Sequence, residues 1–156
     1  ALVVGNHVLG GGFYATRLYK DVRAEAGLAY SVNNSLDVGK TRATYTVEYG
    51  SDPQNVGKAR SIIVRDIKAM QIAPVTPGEL QIAKALLLRE IPLREASEDT
   101  IARGLLTRSI DELPLDEPTI AARYYADITA AQIQAAFAKW IRPDSFVQIT
   151  EGPTPR

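Results

Sequence analysis

The sequence changes from helix to strand within one short stretch, Arg23-Ala24-Glu25-Ala26-Gly27-Leu28-Ala29-Tyr30. The residues before Gly27 carry the apolar spacing of a helix, a glycine commonly ends helices, and extended chain follows from Ala29. We expect this tight turn to bring Arg23 and Tyr30 together. A guanidinium and a phenol offer hydrogen-bond donors suited to carbonyl oxygens or an oxyanion. We therefore interpret Arg23 and Tyr30 as a candidate site.

Each residue of this pair also has a purely structural explanation. Arg23 near the end of a helix is favoured by the helix dipole by about 0.3 to 1 kcal/mol. Tyr30 at the start of a strand follows the ordinary preference of aromatic residues for strands. No nucleophile, base or metal-ligand set accompanies the pair, so the residues alone leave the structural and the functional interpretation open.

Length and composition indicate one domain and exclude several classes of partner. A chain of 156 residues buries roughly two thirds of its unfolded surface. Eighteen basic and eighteen acidic side chains cancel, and no Lys/Arg cluster recurs on one face, which argues against nucleic acid and anionic membranes as partners. No apolar run approaches the roughly 20 residues of a membrane span. The absence of cysteine excludes disulfides and thiolate metal sites.

The ends of the sequence indicate a piece of a longer polypeptide. The chain begins inside an apolar segment at Ala1, and its single methionine is Met70. We interpret residues 1–152 as one domain and residues 153–156 as a C-terminal tail.

Apolar spacing and turn residues predict helices on both sides of one β-hairpin. The hairpin pairs residues 29–37 with residues 42–49 around a turn at Gly39. We expect an α+β fold, a mostly antiparallel sheet covered by several helices, with its first strand missing upstream of Ala1. The other predicted elements are a two-turn helix before Gly10, a helix from Tyr14 to Ala26, helices beginning at Pro53, Pro77, Ser97, Ala121 and Thr129 with a bend or stop near Pro92, and a last strand over Phe146, Val147 and Ile149.

Two apolar stripes are interpreted as packing surface. Tyr45, Val47 and Tyr49 alternate along the second strand, where they form either a substrate groove or, as we favour, the core face. On the following helix, Val56, Ile63, Ile67 and Met70 recur at helical spacing, and Arg60, Arg65 and Lys68 are assigned to its solvated side.

Gly10, Gly11 and Gly12 form a triple glycine upstream of the turn. A phosphate-binding loop is excluded, because no Lys-Ser/Thr follows and a helix precedes where a strand should stand. We favour a hinge or a close-approach loop at a substrate chamber, with a plain connection between helices as the alternative.

His7 is the only histidine and lies on an apolar helix. A catalytic zinc needs three protein ligands, and the carboxylates of Glu25, Glu48 and Glu79 show no spacing that gathers them around one histidine. We therefore interpret His7 as a packed or half-buried residue, and we expect no metal site in this domain.

Three pieces of the sequence share one resemblance: Asn6 to Phe13, Arg17-Leu18-Tyr19, and Arg23 through Val32. They resemble the C-terminal-type domain of the pitrilysin/insulinase family of zinc peptidases. Val75 to Leu80, which opens a long helix, and the predicted strand from Phe146 to Thr150 are similar to that domain in order and spacing. The resemblance therefore covers nearly the whole chain.

The resemblance implies a metallopeptidase half-domain of the pitrilysin/mitochondrial-processing-peptidase type. In that family one domain holds zinc through an inverted H-x-x-E-H motif, and a homologous domain facing it contributes an arginine and a tyrosine, which match Arg23 and Tyr30 here. Those two residues would hold the carbonyls of a peptide substrate and stabilise the tetrahedral intermediate. This chain contains no H-x-x-E-H, so the zinc would belong to a homologous domain or a partner subunit. The usual location of the family also suggests that the protein lies in the bacterial periplasm or cell envelope.

A second function is compatible with the same resemblance. Some members of the family are core subunits of respiratory complexes, which kept the fold and lost catalysis. The intact Arg23 and Tyr30 favour the peptidase over such a structural or assembly domain.

Overall fold

The computed structural model describes residues 1–154, apart from the side chain of Phe13. It shows the predicted α+β fold, in which an antiparallel hairpin packs against helices. Residues 155 and 156 of the predicted tail lie outside the described range. The elements in chain order are helix α1 (Leu2–Asn6) continuing as a π-helical segment (His7–Gly11), a 3₁₀ turn (Phe13–Ala15), a second π-helical segment (Tyr19–Glu25), strands β1 (Ser31–Val38) and β2 (Ala43–Gly50), helices α2 (Val56–Ile72), α3 (Pro77–Arg94), α4 (Glu98–Ile110), α5 (Glu117–Asp127) and α6 (Ala130–Trp140), and a 3₁₀ turn (Pro143–Ser145).

The hairpin forms where the sequence predicts it, with small shifts of its ends. Ser31 at the start of β1 pairs with Gly50 at the end of β2. At the closed end Val38 pairs with Ala43, and the Gly39 N–H donates to a backbone carbonyl across the turn at 3.0 Å. This register places the residue before β1 beside the residues that follow β2.

The helix that leads into the turn begins later than predicted. Thr16 is extended, with φ −110° and ψ 156°, and its hydroxyl accepts from the Tyr19 N–H at 3.3 Å. The Thr16 carbonyl accepts from the Lys20 N–H at 3.0 Å. Thr16 is therefore an N-cap, and the predicted start at Tyr14 is wrong because the apolar pattern does not register a capping hydroxyl.

The same helix ends at Gly27, as predicted. Gly27 has φ 62°, in the left-handed region. Its N–H donates to the Arg23 carbonyl at 3.2 Å, and the Leu28 N–H donates to the Val22 carbonyl at 3.0 Å. Nothing lies within 4 Å of the position that a Cβ of Gly27 would take. Glycine is thus required here by backbone conformation and not by lack of space.

Helix α2 begins after the predicted proline. Pro53 to Asn55 form a turn in which the Asn55 N–H donates to the Asp52 carbonyl at 2.8 Å, and regular helix starts at Val56. The predicted start at Pro53 is therefore three residues early, because residues 53–55 form a turn that leads into the helix.

Helix α3 begins at the predicted capping box and passes through its proline. The Thr76 hydroxyl accepts from the Glu79 N–H at 3.3 Å, and α3 ends at Arg94, two residues after Pro92. Pro92 cannot donate the helical i→i−4 hydrogen bond, and α3 stops two residues later, near the predicted place. The helices predicted to begin at Ser97 and Thr129 do so, each with a capping box.

The last predicted strand is wrong. Residues 146–150 are not paired as a strand, and the side chains of Val147 and Ile149 are 88% and 91% exposed. Only Phe146 packs inward, with its ring 6.3 Å from the Tyr45 ring. A strand needs a hydrogen-bonding neighbour, and within residues 1–154 β1 and β2 pair with each other alone.

The core lies between the hairpin and helices α1, α2 and α6. The predicted stripe of α2 is confirmed for Ile63, Ile67 and Met70, which are buried. The predicted core face of β2 is partly buried and packs on the same cluster. The largest fully buried side chains are Val4, Leu9, Leu18, Val22, Ile67, Met70, Ile133 and Phe137.

None of the described helices combines the length and the apolarity needed to cross a bilayer.

A bidentate ion pair ties the helix before the turn to α3. Arg17 Nε and an Arg17 terminal nitrogen donate to the two Glu79 carboxylate oxygens at 2.6 and 2.9 Å. The bond from Arg17 is the main reason that the pKa of Glu79 falls from 4.5 to about 2, and bonds from Thr76 add to it. Because Glu79 also completes the capping box of α3, one carboxylate fixes both helices.

Substitution of Gly27 tests the left-handed end of the helix. Gly27→Ala is expected to lower the free energy of unfolding by about 1–2 kcal/mol, because an L-residue is disfavoured at positive φ. Urea unfolding measures the change. Gly57→Ala is the matched control, since its Cβ also meets open space but lies in α2, where alanine is neutral or stabilising. Equal effects of the two substitutions would contradict this account.

Substitution of Glu79 tests the ion pair through pH. Since the folded-state pKa of Glu79 is depressed, its contribution is present above about pH 4.5 and is lost as pH falls toward 2. Glu79→Gln is expected to lower the free energy of unfolding by about 1–3 kcal/mol at pH 7 and by progressively less below pH 4.5. Unfolding at several pH values, with the exposed Glu48→Gln as control, measures this. A difference that does not shrink in acid would refute the assignment.

Candidate functional site

Arg23 lies on the exposed side of the helix that ends at Gly27. Its guanidinium carbon is 5.1 Å from the centroid of the Tyr19 ring, in a cation–π contact one helical turn away. The Tyr19 ring meets the Tyr14 ring edge to face, with centroids 4.9 Å apart and planes at 73°. The Tyr19 ring, itself packed against Tyr14, thus positions the guanidinium and leaves it exposed to solvent.

Tyr30 lies at the base of the hairpin, just before β1. Its N–H donates to the Gly50 carbonyl at 2.9 Å, and its hydroxyl donates to Asp52 Oδ1 at 2.9 Å. The side chain is 60% exposed. The hydrogen bond to the Asp52 carboxylate raises the pKa of Tyr30, and desolvation adds to this. Tyr30 is therefore a neutral phenol at neutral pH, and its one proton is donated to Asp52 in this structure.

The turn holds the backbones of the two predicted residues in place. The Arg23 carbonyl accepts from the Gly27 N–H at 3.2 Å, and the Leu28 carbonyl accepts from the Ser51 hydroxyl at 2.6 Å. In the described part of the chain no hydrogen bond joins the Arg23 guanidinium to the Tyr30 hydroxyl, and each side chain rests on a neighbour of its own. Their joint action on one substrate stays a prediction.

The triple glycine is a close-packed segment. Gly10 and Gly11 end the π-helical segment, and Gly12 follows it. A Cβ on Gly10 would lie 2.6 Å from Asn34 Oδ1 on β1, and one on Gly12 would lie 2.7 Å from a backbone carbonyl. Gly10 thus packs the first helix closely against the hairpin, whereas Gly12 packs against the carbonyl of His7 in the π-helical segment that precedes it. That these glycines border a substrate chamber stays a prediction.

His7 has structural neighbours. Its Nδ1 lies 3.2 Å from the Val3 carbonyl, and its Nε2 lies 3.5 Å from Glu90 Oε1. The side chain is half-buried, which agrees with the interpretation from the sequence. Within residues 1–154 no group of three or more His, Cys, Asp or Glu side chains is arranged to hold a metal ion. Of the carboxylates considered as ligands, Glu79 is engaged by Arg17.

Two acidic residues near the turn were missed from the sequence. Asp52, which accepts from the Tyr30 hydroxyl, directly precedes Pro53, the predicted start of a helix. Asp66 is 4% exposed on α2 and accepts from Arg65 Nε at 2.8 Å. Arg65 lies on the solvated side of α2 as predicted, with its side chain 59% exposed, and it also pairs with Asp21.

The position of Asp66 carries a signal that sequence reasoning could have used. Asp66 stands next to the buried Ile67 and three residues after Ile63, inside the apolar stripe of α2. Burial raises the pKa of Asp66, and its Oδ2 has no hydrogen-bond partner among the described atoms. It lines an open groove of about 700 Å³ together with Tyr14, Arg17 and Arg65.

Comparison with known proteins gives a family match over the first part of the chain. A family model described as the peptidase M16 inactive domain matches residues 1–87. The comparison with curated proteins gives no match.

Several solved structures share the fold. The peptidase M16 inactive domain from Pseudomonas fluorescens is similar at 24% identity with a TM-score of 0.79, covering 92% of this chain and 34% of that one. A chain of complex III2 from Candida albicans is similar at 13% identity with a TM-score of 0.72, covering 87% and 34%. The periplasmic protease PqqL from Escherichia coli is similar at 16% identity with a TM-score of 0.62, covering 80% and 14%.

These structural similarities, at such low identities, establish the fold alone. The chain spans about a third of the length of the Pseudomonas fluorescens protein, 34%. The family match is the stronger finding, because residues 1–87 are more than half of the 156 in the chain. The resemblance inferred from the sequence is therefore confirmed, and the chain belongs to the peptidase M16 inactive-domain family.

Proposed function

We propose that this domain binds peptide substrate and stabilises the transition state of a zinc-dependent endopeptidase whose zinc lies in another domain or subunit. The observation that carries the proposal is the pair of solvent-exposed donors, Arg23 and Tyr30, set on the two sides of the Gly27 turn in a member of a peptidase family. Neither side chain is buried in the core.

The two side chains suit the oxygen of a peptide carbonyl. Arg23 is permanently charged, and Tyr30 keeps its phenolic proton at neutral pH. As an attacking water adds to the carbonyl, negative charge develops on the oxygen, and fixed donors stabilise it more than they stabilise the neutral carbonyl. A donor of this kind typically contributes about 10²- to 10³-fold in rate.

The zinc of such an enzyme would have to come from outside this domain. A catalytic zinc takes three protein ligands and activates a water molecule. His7 is the only histidine and is directed at Val3 and Glu90, so the residues present do not fit a zinc site. The proposed partner is a homologous domain or subunit that carries the metal, and the proposed ligand of the pair is an extended peptide.

A structural role in a larger assembly is the second candidate. The similarity to a chain of complex III2 favours it, because that chain shares the fold at a TM-score of 0.72. The two candidates differ in what they require of the exposed pair. An assembly domain has no need for a solvent-exposed guanidinium and a solvent-exposed phenol at one turn, whereas the peptidase role depends on them.

The test is turnover of an unstructured peptide by the assembled protein, this domain together with its zinc-bearing counterpart. Arg23→Ala and Tyr30→Phe are each expected to lower kcat/KM about 10²- to 10³-fold, because each removes one donor from the developing oxyanion. Most of the loss is expected in kcat, since the donors act mainly in the transition state.

Two substitutions on the helical side of the domain serve as matched controls. Arg103→Ala removes a guanidinium that is 77% exposed on α4, and Tyr124→Phe removes the hydroxyl of a tyrosine that is 70% exposed on α5. Both are expected to leave kcat/KM within about twofold. Folded Arg23 and Tyr30 variants with unchanged turnover would reject the assigned roles and favour the assembly domain.

A further inference from the structure

The hydroxyl of Tyr30 already has an acceptor. It donates to Asp52 Oδ1 at 2.9 Å. A phenol carries one hydrogen, so it makes one donated bond at a time. While Tyr30 is bonded to Asp52, its oxygen can only accept, and a substrate carbonyl also needs a donor. The two partners therefore compete for the same proton.

Several contacts hold Asp52 beside Tyr30. The register of the hairpin brings the two together, because the Tyr30 N–H donates to the Gly50 carbonyl at 2.9 Å. The Ser51 hydroxyl donates to the Leu28 carbonyl at 2.6 Å, which ties the segment after β2 to the segment before β1. Pro53 follows Asp52 directly, and a residue before proline is restricted to extended backbone. The carboxylate is thus presented by a stiff segment.

The ring of Tyr30 lies against the backbone of Gly50. A Cβ on Gly50 would lie 3.2 Å from Tyr30 Cδ2 and 3.1 Å from Ser31 Oγ. Gly50 therefore leaves the space in which the ring lies against the end of β2. The base of the hairpin therefore fixes the Tyr30 backbone beside Gly50, two residues before Asp52, and the Tyr30 ring lies against Gly50.

We propose that Asp52 is a positioning residue that holds the Tyr30 hydroxyl in the resting domain and has to release it before Tyr30 can donate to substrate. The inference rests on the proposed function for its consequence in catalysis. The hydrogen bond itself and its control of the phenol stand independently of that function.

We expect Asp52 to release the Tyr30 hydroxyl when the carbonyl oxygen of the substrate becomes negatively charged. A carboxylate is a stronger acceptor than the neutral carbonyl of a bound peptide, because the bond is charge-assisted. An oxyanion is more basic than a carboxylate and is therefore the stronger acceptor. The Tyr30 hydroxyl then donates to the oxyanion instead of to Asp52. In the resting and substrate-bound states Tyr30 stays with Asp52, and this reduces the fraction of molecules with a free donor.

The alternative is that Asp52 serves the start of α2 and nothing else. Its backbone carbonyl accepts from the Asn55 N–H at 2.8 Å, and an acidic residue near a helix start is favoured by the dipole. In that case removal of the carboxylate lowers stability and leaves the phenol of Tyr30 unaffected. The pKa of Tyr30 therefore distinguishes the two roles of Asp52: it changes if Asp52 holds the hydroxyl and stays the same if Asp52 only supports the start of α2.

The direct test is the titration of Tyr30 in the 156-residue chain, followed by NMR of ring-labelled tyrosine, with Tyr30→Phe identifying the signal. Because the bond to the carboxylate is the largest cause of the raised pKa, Asp52→Asn and Asp52→Ala are expected to lower the pKa of Tyr30 toward its ordinary value. Asp99→Asn, which removes an acid that is 71% exposed on α4, is expected to leave it unchanged. An unaltered pKa in both Asp52 variants would overturn the proposal.

The consequence for catalysis is tested by a double-mutant cycle in the assembled peptidase. Asp52→Ala is expected to raise kcat/KM about 2- to 10-fold, because the donor no longer has to leave a competing acceptor. In a Tyr30→Phe background the same substitution is expected to change nothing. An equal loss of activity in both backgrounds would show a structural role for Asp52 and reject the proposal that Asp52 holds the Tyr30 hydroxyl. If Tyr30→Phe alone has no effect, the proposed function fails, while the titration still decides whether Asp52 holds the hydroxyl.

Discussion

The geometry of the candidate site depends on one backbone conformation, the left-handed Gly27. At φ 62° the chain leaves the helix, and the Gly27 and Leu28 N–H groups satisfy two of the last helical carbonyls. Arg23 is thereby kept in the final turn of the helix, and Tyr30 begins the approach to β1. An L-residue with a side chain resists this conformation by about 1–2 kcal/mol. Other contacts fasten the two arms of the turn, but they do not create it.

Those other contacts form a connected support. Arg17 and Glu79 join the start of the helix to α3, and the Ser51 hydroxyl joins the end of β2 to Leu28. The buried glycine segment packs the first helix against β1, because a Cβ on Gly10 would overlap Asn34. The side chains of the candidate site are thus exposed, while the surrounding backbone is held by these three sets of contacts. The backbones are therefore positioned in advance, and only the ends of the Arg23 and Tyr30 side chains have to leave Tyr19 and Asp52 to reach a substrate oxygen.

Much of this was predictable from the sequence, and the failures have physical causes. Gly27 and the hairpin follow from local backbone preference and period-two alternation, which act over a few residues. The start of the helix at Thr16 was missed because a single capping hydroxyl overrides apolar spacing. The strand over residues 146–150 was wrong because pairing depends on a neighbouring strand and not on the segment's own pattern. Asp52 was missed as a partner of Tyr30 because hairpin register, a nonlocal property, brings them together.

The central claim is that Arg23 and Tyr30 converge on one oxygen during catalysis, and a crystal structure tests it most directly. The structure would contain the assembled peptidase with a transition-state analogue that presents a tetrahedral oxyanion. The account predicts an Arg23 guanidinium nitrogen and the Tyr30 hydroxyl each about 2.7–3.1 Å from that oxygen, with the hydroxyl released from Asp52. A bound analogue with Arg23 still on the Tyr19 ring and Tyr30 still on Asp52 would contradict it.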